Sequence, residues 1–281
     1  MLLRFIRTHP LVAFFVLAYA FSWVPLVPWL VAPAHPAERS PFAVALVGIL
    51  GAPGPTFAAF LVSGVTAGRT AVRDLTTPLF RWRVRLRWWG IALFIHPAVM
   101  VVGIAVHLAA GGTIDWKPLE SPTTYESLTT FLLSVPVLAL LEEVGWRGYA
   151  LPRLQQRHSP LIASVVLGIL WACWHLPLFF LEGTSQERSR APFLAYIMLT
   201  IPLAIWFTWL YNHTQSILVV AAYHASLDYT SSLLPGGKEP TVAAVAGSLG
   251  LFLTIVLVFA ARMTRALQPS GTPITRRSGA T

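Results

Sequence analysis

Apolar residues run through this chain in long blocks, and short polar stretches separate the blocks. Eight segments can be read, roughly Leu11–Val31, Phe42–Val65, Trp88–Ala110, Leu128–Leu141, Leu161–Leu181, Pro192–Tyr211, Ile217–Leu234 and Val242–Met263. Most approach the ~20 residues that an α-helix needs to cross a bilayer. The fourth and seventh are short and interrupted by polar residues, which predicts tilted or partly buried helices there. The expected fold is all-α, a polytopic membrane protein of about eight transmembrane helices.

Composition strengthens this picture. The chain has 281 residues, of which 56% are hydrophobic and only 11% charged. A soluble domain carries about 25% charged residues. The length suits a single membrane domain, residues 1–265, followed by a tail at 266–281 rich in Ser, Thr, Gly, Pro and Arg. Such a tail is expected to be disordered. No internal repeat is visible. "GAPGP" at Gly51–Pro55 interrupts the second segment and predicts a bend or a close helix approach there. The single cysteine, Cys173, excludes an internal disulfide and any Cys-rich metal site.

The net charge of +9 follows the membrane edges rather than a nucleic-acid face. Arginines gather at Arg4 and Arg7; at Arg69, Arg73, Arg81, Arg83, Arg85 and Arg87; at Arg147, Arg153 and Arg157; and at Arg262, Arg265, Arg276 and Arg277. Each group flanks an apolar run, as the positive-inside rule expects of cytoplasmic loops. With eight crossings all four groups fall on one side, which predicts both termini in the cytoplasm. Nucleic acid is therefore not an expected partner; membrane lipids are. In "RWRVRLRWW" arginines alternate with apolar residues, a pattern suited to anionic headgroups. Basic residues before the first segment and "APA" after it resemble a signal peptide. Its apolar run exceeds the ~7–15 residues of a signal h-region, so a retained first helix is expected. Short loops rich in Arg and Ala suggest a bacterial inner membrane.

Eleven acids occur. Glu38, Asp74, Asp115, Glu120, Glu126, Glu182, Glu187 and Glu239 sit in expected loops or span ends. Glu142, Glu143 and Asp228 do not, and a charge at the centre of a membrane helix costs about 2.5–3.5 kcal/mol on insertion scales. Such residues usually face a cavity or a partner. Four histidines, His96, His107, His175 and His224, also fall within apolar segments.

Spacing sorts these groups. Glu143 and Arg147 stand at i and i+4 with the acid first, the favoured order for a helical ion pair. Glu142 lies about 100° round the helix from Glu143, so Glu143–Arg147 is expected to hold the helix end while Glu142 points elsewhere. His224 and Asp228 share one helix face at i and i+4. Convergence of Glu142, His175, His224 and Asp228 would relieve several desolvation penalties together. A buried carboxylate can act as a general base, and imidazoles can hold water, donate to an oxyanion or ligate a metal. His96 and His107 lack such companions and are assigned to packing or a span end.

The motifs carrying these residues resemble those of the CPBP group of intramembrane proteases (CAAX proteases and bacteriocin-processing enzymes, also called the Abi family). The family pattern is EExxxR, FxxxH and HxxxN or a similar polar residue, each on its own membrane helix. Here "EEVGWR" (Glu142–Arg147) matches the first; "WACWH" (Trp171–His175) matches the second with Trp in the aromatic place. "HASLD" (His224–Asp228) matches the third with Asp in place of Asn. The matching region is about residues 128–235.

The resemblance implies helices enclosing a hydrophilic cavity, with Glu142 as the base and His175 helping to hold water. Glu143, Arg147 and Trp171 would support the site, and His224 and Asp228 would stabilise the oxyanion or complete a polar site. The substrate class it implies is a membrane-associated peptide or protein, prenylated for the best-known members. A divalent cation such as zinc, held by Glu142, His175, His224 and Asp228, stays open beside a metal-free, glutamate-dependent reaction. Two other classes also stay open: an ion- or proton-coupled transporter, and a non-catalytic immunity-type membrane partner.

Overall fold

Prolines and glycines set most of the helix ends. In the computed structural model, the described residues are 1–31, 46, 49–114, 136–181, 184, 186–187, 192–233 and 240–263. Among them all regular structure is helical. Helix α1 (Leu2–Thr8) ends at His9, and Pro10, which has no N–H to lose, opens α2 (Pro10–Trp23). A short 3₁₀ turn leads into α3 (Val27–Val31). Helix α4 (Gly54–Thr76) is broken within by Gly68, whose φ of 63° is open to glycine at no steric cost. Helix α5 spans Leu86–Ala109 with Pro97 inside it.

A helix at 136–143, α6, continues without a break into a π-helix at Val144–Ala150 and then α7 (Leu151–Gln155). Helix α8 (Pro160–Trp174) is capped by the Ser159 hydroxyl, which accepts from the Ile162 N–H at 3.4 Å. Helices α9 (Phe193–Thr214) and α10 (Ile217–Leu233) meet at Gln215, which sits in the left-handed region. Helix α11 covers Pro240–Ala260.

Among the described residues five helical stretches are long and apolar enough to cross a membrane: Pro10–Val31, Ile49–Phe80, Leu86–Ala109, Phe193–Thr214 and Val242–Ala260. The protein is thus an all-α, integral membrane protein. The sequence predicts a fifth segment running to Leu181, but α8 stops at Trp174 and a 3₁₀ turn follows over Leu176–Phe179. Pro177 fits the stop, because it has no N–H to continue the i→i−4 ladder to the Cys173 carbonyl. At 15 residues α8 is about 22 Å long, short of the ~30 Å hydrocarbon core. The second segment instead overruns its expected end at Val65 by continuing to Phe80. The expected segment stretches 42–45 and 128–135, the acids Glu38, Asp115, Glu120, Glu126, Glu182 and Glu239, and the tail at 266–281 lie outside the described residues.

The most extensive helix pairings are α8 with α9, α2 with α4, and α5 with both α10 and α11. The close approach expected at "GAPGP" occurs between α2 and α4. A Cβ on Gly54 would stand 2.7 Å from the Ala18 carbonyl oxygen, and the buried Ser22 hydroxyl donates to the Gly51 carbonyl at 2.7 Å. The main core gathers Phe14, Trp146, Tyr149, Trp171 and Phe207. Two cross-links tie α2 to the last turn of α8. The Tyr19 hydroxyl donates to the Leu170 carbonyl at 2.5 Å, and the Trp23 indole donates to the Trp174 carbonyl at 2.9 Å.

Candidate active site

The π-helix begins one residue after Glu143, where the chain reads "VGWRGYA". Two glycines let it pack tightly. A Cβ on Gly145 would stand 2.6 Å from the Pro55 carbonyl, and one on Gly148 would stand 2.9 Å from the Ile217 side chain. The segment therefore wedges between the start of α4 and the start of α10. π-Helical turns occur mostly as local insertions and are frequent at functional sites. The adjoining end of α6 is tied to α4 by the Thr56 hydroxyl, which donates to the Leu141 carbonyl.

The two adjacent glutamates take different partners. Glu143 is fully buried, and its Oε1 accepts from Arg147 Nη1 at 2.7 Å and pairs with His224 Nδ1 at 2.9 Å. Arg147, also fully buried, lies over the Phe207 ring at 3.9 Å and the Trp171 ring at 4.8 Å. Glu142 turns the other way, and its Oε2 accepts from the Trp171 indole N–H at 3.0 Å. His175 follows on the same wall, with Nδ1 against the Trp171 carbonyl at 2.8 Å. That pairing calls for a proton on Nδ1, since a carbonyl only accepts, and leaves Nε2 for another group.

Trp171 joins the two halves. Its indole serves Glu142, its carbonyl serves His175, and its ring meets His224 edge-on with centroids 5.3 Å apart. The residues singled out in the three motifs thus form one connected set across α6, the π-helix, α8 and α10. The division expected from spacing, Glu143 to Arg147 and Glu142 elsewhere, matches the observed hydrogen bonds. Asp228 differs from the expected buried cluster. Its carboxylate stands 3.6 Å from His224 Nε2, but the side chain is 47% exposed because it lies one turn further along α10.

His107 is buried at the end of α5 and faces the Thr113 carbonyl at 3.2 Å, as a span-end residue would. His96 lines a largely apolar cavity of about 810 Å³ between α5, α9, α10 and α11.

Sequence reasoning missed Phe207 and Tyr196, both on α9. Phe207 roofs Arg147 and meets His224 edge-on at 5.3 Å; Tyr196 meets His175 at 5.6 Å. An aromatic residue inside an apolar helix carries no periodic signal that separates it from core. Among the described residues no three His, Cys, Asp or Glu side chains converge as metal ligands. His224 Nδ1 is committed to Glu143 Oε1 while its Nε2, 3.6 Å from Asp228, stays open, and no three candidate ligands converge among the described residues, so this arrangement does not fit a three-ligand zinc site of the catalytic kind.

Residues 124–230, which hold all three motifs, match the family described as Type II CAAX prenyl endopeptidase Rce1-like. Over this segment the chain is similar to the CAAX/CPBP family. The chain is also similar to CAAX prenyl protease 2 of Methanococcus maripaludis, at 28% identity over 203 residues. That alignment covers 68% of this chain and 73% of the relative. The matched segment begins ahead of α6 and ends near the last turn of α10, so every residue of the connected set lies inside it.

Proposed function

We propose that the chain is an intramembrane endopeptidase in which Glu142 activates a water molecule. The observation that carries this reading is the split between adjacent acids. Glu143 is committed to a buried cation and an imidazole, whereas Glu142 is held through one oxygen by an indole, and its Oε1 has no partner among the described residues. A buried carboxylate held in this way is oriented for proton transfer without being neutralised by an ion pair.

In the proposed reaction Oε1 of Glu142 takes a proton from water, and the hydroxide adds to the scissile carbonyl carbon. His175, through Nε2, orients that water. His224, held in place by Glu143 and paired with Asp228, donates toward the oxygen that becomes negative. Glu142 then gives its proton to the amide nitrogen as the C–N bond breaks, leaving a carboxylate and an amine. No step here requires a metal.

The substrate is a membrane-associated peptide or protein. The names of the matched family and of the relative both include prenyl, which makes prenylated peptides the first to test. The charge pattern supports eight crossings with both termini in the cytoplasm, the resemblance adds a polar cavity, and length and composition support residues 1–265 as one domain followed by the 266–281 tail in a bacterial cell. The archaeal relative makes the choice of host a part of the test.

Peptide termini are compared in native-host membranes carrying the wild-type chain or Glu142→Gln at matched levels. New C-termini specific to the wild type are expected. Identical termini, with the host phenotype kept by Glu142→Gln, would replace the peptidase with a binding partner.

A further inference from the structure

The ribbon between α4 and α5 carries a feature that the peptidase reading does not use. Two successive i→i+2 turns form it: the Trp82 N–H donates to the Phe80 carbonyl and the Val84 N–H to the Trp82 carbonyl, both at 3.0 Å. Arg81, central in the first, has φ −83° and ψ 75°, the inverse γ-turn conformation. Val84 and Trp88 face the protein core, while Arg81, Arg83, Arg85 and Arg87 are exposed. The apolar residues between them are open as well: Phe80 is 76% exposed, Trp82 60% and Leu86 86%.

Cations and apolar side chains thus alternate on one surface that joins two membrane-spanning stretches, Ile49–Phe80 and Leu86–Ala109. Between Arg69 and Arg87 the chain has six arginines and one acid, Asp74. Among the described residues none of the four ribbon arginines has a carboxylate at ion-pair distance. Arg83 and Arg87 lie over the neighbouring indoles of Trp82 and Trp88, at 4.9 and 5.0 Å. Aromatic rings beside cations suit the headgroup layer, where one end is apolar and the other wet.

The ribbon is also tied to the helix that carries His224 and Asp228. The fully buried Ser216 hydroxyl donates to the Arg81 carbonyl at 2.6 Å. The same oxygen accepts from the Val219 N–H at 3.3 Å, in the first turn of α10. One side chain therefore joins the ribbon to the start of α10.

We propose that the segment Thr77–Arg87 is a docking surface for the headgroups of anionic bilayer phospholipids, and that its occupation holds the first turn of α10 in place through Ser216. Charge complementarity selects the partner. Four exposed cations with no carboxylate at ion-pair distance among the described residues attract an anionic surface, and the open Phe80, Trp82 and Leu86 belong in its acyl boundary rather than in water.

The test uses the purified full-length chain in detergent, titrated separately with phosphatidylglycerol, phosphatidylcholine and inorganic phosphate. Thermal unfolding and hydrogen exchange of amides 219–222 are followed, and neither depends on peptidase activity. Phosphatidylglycerol is expected to raise the unfolding temperature and slow exchange in that turn, with little effect from the other two. Affinity should fall about fivefold per arginine removed, so Arg83→Gln/Arg85→Gln/Arg87→Gln should lose the response. The corresponding triple Lys variant should keep it, as should the exposed control Arg157→Gln. Ser216→Ala should bind phosphatidylglycerol but lose protection at 219–222.

An undiminished response in the triple Gln variant, or equal effects of the two lipids, overturns the docking surface. The same response to inorganic phosphate alone makes it a small-anion site instead, and displacement of phosphatidylglycerol by an acidic peptide makes it a peptide surface. Protection that survives Ser216→Ala removes the link to α10. If the triple Gln variant does not fold, single Arg83→Gln and the wild-type contrast between the two lipids decide the matter.

Discussion

The Trp171 indole donates to Oε2 of Glu142 across 3.0 Å, joining α8 to the end of α6 over a sequence separation of 29 residues. The family pattern that this chain resembles has phenylalanine in the place of Trp171, and phenylalanine has no N–H to donate. The hydrogen bond is therefore a feature of this chain's own residues, and it assigns Trp171 the work of positioning Glu142.

Trp171→Phe keeps a ring against His224, Arg147 and Phe207 while removing the donor. A hydrogen bond to a charged group contributes about 1.5–3 kcal/mol, and each 1.36 kcal/mol is tenfold in rate. The expected outcome is a fall in kcat of about tenfold or more with little change in KM, measured by steady-state cleavage of a peptide substrate in reconstituted membranes. Loss confined to KM, or a fall that follows the folded fraction, would assign Trp171 to packing alone.

Arg147 and Glu143 form a buried pair with 0% exposure on both side chains. Removing one partner of such a pair leaves an uncompensated charge and costs about 3–5 kcal/mol. Arg147→Met should therefore lower the unfolding temperature more than Arg147→Met combined with Glu143→Gln. Thermal melts of the two single variants and the double, as a mutant cycle, measure the coupling. Additive effects would show that Arg147 acts through its stacking on Phe207 and not through the carboxylate.

Gly145 and Gly64 should respond in opposite directions to the same substitution. A Cβ on Gly145 meets the Pro55 backbone, whereas a Cβ on Gly64 meets nothing within 4 Å. Overpacking costs roughly 1–3 kcal/mol, while Gly to Ala inside an unobstructed helix gains about 0.5–1 kcal/mol. Gly145→Ala should thus lower the unfolding temperature and Gly64→Ala should hold or raise it, read by thermal melts at matched detergent. A neutral Gly145→Ala would mean that the π-helix does not depend on close contact with Pro55.

Much of the architecture was legible in the residue order. Long apolar runs are tied to membrane crossing by length alone, and an i, i+4 acid–arginine pair needs only the local helix to meet. The Glu143–Arg147 contact and the opposite turn of Glu142 follow from that local geometry. Helix ends were less legible. The stop of α8 at Trp174 reflects Pro177, but the extension of α4 to Thr76, with its continuation to Phe80, runs through Arg69, Arg73 and Asp74, residues that read as a loop.

Sequence by itself determined which groups had to find partners: two adjacent glutamates, two histidines and an aspartate in apolar helices, each with a desolvation cost to relieve. Only the tertiary structure decided which partners they found. His224 pairs with Glu143 across 81 residues of sequence, Trp171 serves Glu142 and His175 together, and Phe207 covers Arg147 from a third helix. These contacts depend on how the helices rotate and pack against one another, set by shape at places such as Gly145 against Pro55. Local periodicity carries no information about that rotation between helices, so the identities of the groups are written along the chain and their pairing is written in the packing.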